Sequence, residues 1–192
     1  MSFYFISQFA IYDIMHYNKI MRSPNGIKPQ DILVLLELAA HPRKKWRLVD
    51  LGGLLGLSQS EVSMALLRAA HSGLLDAKRA VLRSALAEFL IHGLRYVFPA
   101  RPGPLARGVP TAHSAPPLSA DIRAAAHDHY VWPDASGALR GQTIAPLYPS
   151  APAAAKKDPA LHQWLALVDA LRVGRARDKA LAERHIRRRL GV

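Results

Sequence analysis

Leu51-Gly52-Gly53-Leu54-Leu55-Gly56-Leu57-Ser58-Gln59-Ser60-Glu61-Val62 is the stretch on which the fold turns. Two helices that cross steeply need a small residue where they touch, and Gly52 supplies it. A tight turn between them needs a residue tolerant of positive φ, and Gly56 supplies that. Leu57 plugs the turn, and Ser58 stands where an N-cap belongs. The pattern predicts a short helix over 48–55 and a longer one over 59–72, closed by Gly73. Val62, Ala65, Leu66 and Ala69 recur at helical spacing and form the expected buried face of the second helix.

Outward from this corner, Pro29 opens a helix over 28–40 with Ile32, Leu33, Leu35, Leu36 and Ala39 as its apolar stripe. His41-Pro42 ends it, and Lys44-Lys45-Trp46-Arg47 comes next as a short extended or loop segment. On the other side, Leu74-Leu75 begins an extended piece, and Asp76 to Arg79 reads as a tight turn or very short wing. A fourth helix is expected over 84–97, with Leu86, Phe89, Leu90, Leu94 and Val97 on one side. Residues 99–157 hold ten of the fourteen prolines, which preclude a long helix between 99 and 117. Tyr130-Val131-Trp132, the turn Asp134-Ala135-Ser136-Gly137 and Ala138-Leu139-Arg140 read as a short β-hairpin. Helices return over 159–172, with Leu161, Trp164, Leu165, Val168 and Leu171 facing inward, and over 176–190, with Ala176, Ala180, Ile186 and Leu190 apolar. The fold class is therefore mainly α: a helix-turn-helix with a wing, an irregular proline-rich insert carrying the hairpin, and two C-terminal helices. The chain divides into an arm (1–25), the helix-turn-helix domain with its following helix (26–98), the insert (99–157) and a basic helical region (158–192). The arm receives no function; Met15 and Met21 offer later starts.

The order of these elements over residues 28–83 resembles the winged helix-turn-helix domains of bacterial regulators, broadly the MarR-like group. The resemblance rests on the Gly-Leu-Ser turn at 56–58, Val62 four residues after Ser58, and Ser72-Gly73-Leu74-Leu75 leading to the wing. It implies a cytoplasmic, sequence-specific DNA-binding transcriptional regulator that inserts helix 59–71 into a major groove and works as a homodimer. Base contacts fall on Gln59, Ser60 and Ser63, beside the cap Ser58, with Arg68 reaching a phosphate or base. Backbone contacts fall on Lys44, Lys45, Arg47, Lys78 and Arg79. Such helices commonly display arginine or lysine where this chain has Met64 and Leu67. Those two apolar residues support a second reading, a protein-interaction module of antitoxin-like or adaptor type with a partner protein. The remainder of the chain resembles an uncharacterised bacterial family in the segment Arg107 to Pro117.

Composition agrees with a polyanionic partner. Twenty-six basic residues face fourteen acidic ones, a formal net charge of +12, and each neutralised phosphate releases a condensed counterion. Eight of the basic residues lie between Arg172 and Arg189, dense enough for a second, non-specific nucleic-acid contact. The absence of cysteine excludes disulfides and cysteine-based zinc sites. No apolar run is long enough for an export or membrane segment. His113 and Arg107 invite an acid/base or anion-binding reading; the favoured alternative is a rigid loop in which Thr111, His113 and Ser114 satisfy buried backbone groups. His127-Asp128-His129 lacks a further ligand at matching spacing, so no metal is expected there. Neither a phosphate-cradling glycine loop nor a metalloprotease or hydrolase motif occurs, so no enzyme activity, catalytic residue or cofactor is expected.

Overall fold

A computed structural model describes residues 26–76, 78–122 and 128–192. The arm 1–25, Ala77 of the wing turn and His127 lie outside the described residues. Helix α1 (Pro29–Ala40) starts on the expected proline and ends at His41. Helices α2 (Leu48–Leu55) and α3 (Gln59–His71) keep the expected boundaries. Gly56 lies between them at φ 68°. A Cβ on Gly52 would meet the Leu57 carbonyl oxygen at 2.4 Å, so the close approach is to the turn's backbone and not to the crossing helix. Ser58 caps α3 by accepting the Glu61 N–H at 3.2 Å, and the Glu61 carboxylate accepts the Ser58 N–H at 2.7 Å. This reciprocal box satisfies two of the donors that a helix start leaves open.

Where a wing is expected, the chain makes only a tight turn. Leu75 and Val81 make an isolated antiparallel bridge, and the Asp76 carboxylate accepts the N–H groups of Lys78 and Ala80 at 2.8 Å each. The chain then enters a helical segment of three parts: α4 (Arg83–Glu88), a π-helical turn (Phe89–Gly93) and α5 (Leu94–Val97). The apolar stripe in the sequence presumes an unbroken helix. A π turn adds a residue and rotates the helix beyond it, so Leu86, Leu90 and Leu94 are buried while Val97 is exposed.

The strands depart further from expectation. Strands β2 (Tyr130–Pro133) and β3 (Leu139–Thr143) occupy the expected places, but they do not form a hairpin. They pair in parallel, Tyr130 opposite Gln142 and Val131 opposite Thr143. Strand β1 (Leu105–Pro110) lies antiparallel to both, with Gly108 opposite Pro133 in β2 and Leu139 in β3, and the three close into a small barrel. β1 captures the backbone groups that a hairpin would have used on itself. Closure this tight requires missing side chains: a Cβ on Gly108 would sit 2.0 Å from the Trp132 oxygen, and one on Gly137 would sit 2.2 Å from the Gly108 backbone.

Three more helices complete the chain: α7 (Ala151–Lys157), α8 (Pro159–Val173) and α9 (Ala176–Leu190), after a short α6 (Leu118–Asp121). The periodicity of α8 predicts one inward stripe. In the structure every residue from Trp164 to Leu171 is buried, because α1, α5, α7, α9 and the 3-10 turn at Ala112–Ser114 pack around it. A helix apolar on all sides is a core helix. On α9 the buried apolar residues are Ala182, Ile186 and Leu190, and Ala180 is exposed. The buried apolar side chains form one continuous cluster from Ile32 to Leu190, so α1–α3, the insert and the C-terminal helices share a core. No described helix is long and apolar enough to cross a membrane.

Candidate nucleic-acid interface

Helix α3 carries a buried side and an open side. Val62, Ala65, Leu66 and Ala69 are buried as expected. The outward stripe is Ser60, Met64, Leu67 and His71, with Met64 and Leu67 the large apolar residues on it. Gln59 is exposed at the first turn and Ser63 is half-buried beside it. Residues 59, 63 and 66 share one helical face, and Leu66 reaches a surface depression of about 300 Å³. The helix thus offers small polar groups at its N-terminal end and apolar groups further along.

That depression brings the two basic segments together. Lys44, Lys45 and Trp46 line it from the loop after α1, and Lys78, Arg79 and Ala80 line it from the turn before Val81. A neighbouring hollow of about 170 Å³ adds Arg83 and Arg189 to Lys44 and Arg79. Among the described residues, no acidic side chain lines either hollow. Lys44 lies over the Trp46 ring at 3.5 Å, which fixes the lysine stem while leaving the residue exposed. Sequence reasoning missed Arg83 and Arg189. The first opens α4, four residues past Arg79, and the second lies on α9, which only the fold brings alongside.

Two expected contacts are engaged elsewhere. Arg68 is buried, not available to a phosphate or base. Its guanidinium donates to both oxygens of Asp31 at 2.7 and 2.6 Å, and Asp31 also accepts the Lys28 N–H at 2.8 Å. A cation in the core must be paired, and this fork-to-fork pair rivets α3 to the first turn of α1. Arg47 is exposed, but it donates to Asp50 at 2.7 and 2.8 Å and holds that carboxyl below its ordinary range.

The C-terminal arginines divide in the same way. Arg172 is structural: it donates to the carbonyls of Phe98 and Ala145 and to Asp169. Arg187 pairs with Glu183 at 3.0 Å and Arg175 with Asp128 at 3.1 Å. Arg189 bonds Gln163 and lies over Trp164. The run is partly internal bracing, a reading that its spacing does not reveal.

The Arg107–Pro117 segment matches the rigid-loop reading in part: Arg107–Pro110 is strand, and of the three expected residues His113 and Ser114 meet backbone groups while Thr111 bonds a side chain. Thr111 donates to Asp169 at 2.7 Å, His113 Nε2 meets the Asp128 carbonyl at 2.5 Å, and Ser114 accepts the Tyr130 N–H at 2.9 Å. Arg107 stands on β1 opposite Arg140 of β3. Asp169, which the sequence does not mark, collects Thr111, the Trp132 indole at 2.7 Å and Arg172. Its one signal is an acid within the otherwise apolar run Trp164–Leu171. Compared with known family models, curated proteins and solved structures, the chain matches none.

Proposed function

We propose that the chain is a sequence-specific DNA-binding transcriptional regulator, and that α1–α3 with the stunted bridge act as a winged helix-turn-helix. The convergence of Lys44 and Lys45 with Lys78 and Arg79 in one acid-free hollow beside α3 carries this reading. Two basic segments meeting beside a helix whose N-terminal residues are exposed suit phosphate contacts next to a helix in the major groove. Gln59, Ser60 and Ser63 are the base readers in this proposal, and Arg83 joins the phosphate contacts. Leu82, Tyr96 and Val97 leave exposed apolar surface on the 82–97 segment, which suits a homodimer reading two half-sites.

Selection of bound duplexes from a random pool tests it, with an enriched palindrome expected. On the selected site, replacing Lys44, Lys45, Lys78 and Arg79 with glutamine flattens the salt dependence by about 0.9 per lost phosphate contact. Replacing Gln59 and Ser63 with alanine leaves that slope intact and relaxes base preference. Unchanged affinity and preference would reject α3 as the reader.

A second reading rests on a separate observation. Met64 is 39% and Leu67 55% exposed on the outward stripe, and no lysine or arginine accompanies them there. That stripe suits an apolar partner protein. Met64→Asp with Leu67→Asp would abolish such a complex; the duplex selection separates the two readings, because the module would enrich no sequence.

A further inference from the structure

Glu37, on the last turn of α1, is fully buried, and neither of its carboxylate oxygens has a hydrogen-bond partner. Its burial, with the charge of Asp158 behind it, pushes the carboxyl up to about 7. A buried group of this kind is costly unless something completes it. One helical turn on, His41 Nε2 lies 3.6 Å from Glu37 Oε1. The same nitrogen lies 2.7 Å from Asp158 Oδ2. Asp158 reaches this point from the start of α8, where its other oxygen accepts the N–H groups of Ala160 and Leu161. One ligand atom from each of the three residues lies within 4.8 Å of the others.

We propose that Glu37, His41 and Asp158 form a binding site for a divalent transition-metal ion of the zinc type. A mixed imidazole and carboxylate set suits such ions. Ligand atoms about 2.1 Å from a tetrahedral centre stand roughly 3.4 Å apart, so the present separations need only small side-chain rotations. Two carboxylates and a neutral imidazole cancel the charge of a divalent ion, and the orphaned oxygens of Glu37 gain the partner they lack. Three protein ligands leave at least one position for water, reached through His41, which is one-third exposed and lines the hollow it shares with Lys44 and Arg79. The site clamps the end of α1 to the start of α8, residues 117 positions apart. That separation hides Asp158 from sequence reasoning, although Glu37 and His41 carry the i, i+4 signal of two ligands on one helix face.

Titration of the full chain with ZnCl₂ by calorimetry, and with CoCl₂ by visible absorption, tests the proposal. One ion per chain, a cobalt d–d band and a raised melting temperature are expected. His41→Ala removes the only nitrogen ligand. It should weaken binding on the order of 100-fold, at least what loss of an outer-shell partner costs. Glu37→Gln, nearly isosteric, should do likewise; should it fail to fold, Asp158→Asn replaces it and keeps an oxygen for the α8 cap. His129→Ala should leave uptake unchanged. No band and no thermal shift would overturn the site, and so would full uptake by the His41 and Glu37 variants, which would place the ion elsewhere.

Discussion

The α2–α3 corner and the β1–β3 barrel both press backbones together at glycine, but they secure the approach by different means. At the corner the turn-forming devices lie within a dozen residues: Gly52 under the Leu57 carbonyl, Gly56 at positive φ, and the Ser58–Glu61 box. From outside, Ser150 and Lys157 donate to the carbonyls of Leu55 and Gly53. In the barrel Gly108 meets Trp132 and Gly137 from separate parts of the chain, and the assembly hangs on Asp169 through Thr111 and Trp132. The corner's turn is therefore specified locally, and distant residues brace it. The barrel is specified by pairing between separated strands and anchored to α8 through the buried acceptor Asp169.

The largest effect should come from that acceptor. Asp169→Ala strands the Arg172 charge and the donors of Thr111 and Trp132, and loss of one partner of a buried ion pair costs about 3–5 kcal/mol. Urea unfolding should register this, with Trp132 fluorescence reporting the barrel. A change within error would mean that the barrel stands without α8, and the contrast with the corner would collapse. Arg68→Met comes next at about 3 kcal/mol, because Asp31 is left buried without its partner. Adding Asp31→Leu should recover most of the loss, since an apolar pair of similar volume often matches a buried ion pair. Under the proposed DNA-binding function the double variant should also keep its affinity for a selected duplex, which separates Arg68 the rivet from Arg68 the reader. The smallest effect belongs to the corner: Ser58→Ala costs about 1 kcal/mol. Amide exchange should locate it, with protection falling in the first turn of α3 and holding steady over Tyr130–Trp132.

This difference in specification is also why the sequence is readable in some places and opaque in others. Caps, a positive-φ glycine and an apolar period are encoded within one turn of the residues they organise, so α1, α2 and α3 can be placed closely. The parallel pairing of β2 and β3 is encoded by β1, some twenty residues upstream, and nothing in Tyr130–Arg140 itself distinguishes it from a hairpin. Arg68 misleads for the same reason: its role is set by Asp31, 37 positions away. The basic rim is half legible. Lys44, Lys45, Lys78 and Arg79 stand in loops, where charge is on show, whereas Arg83 and Arg189 join them only through the packing of α4 and α9.

The burial of α1 has a bearing on how the chain is made. Seven consecutive residues of α1, from Asp31 to Glu37, are covered in the finished protein, and part of that cover is α8. During synthesis α8 emerges roughly 130 residues after α1, a delay on the order of ten seconds at ribosomal rates. Through that interval the nascent corner carries an uncovered strip of isoleucine, leucine and valine. The polypeptide is thus a candidate client for chaperones until α8 leaves the ribosome, and the basic rim is finished later still, because Arg189 arrives with α9.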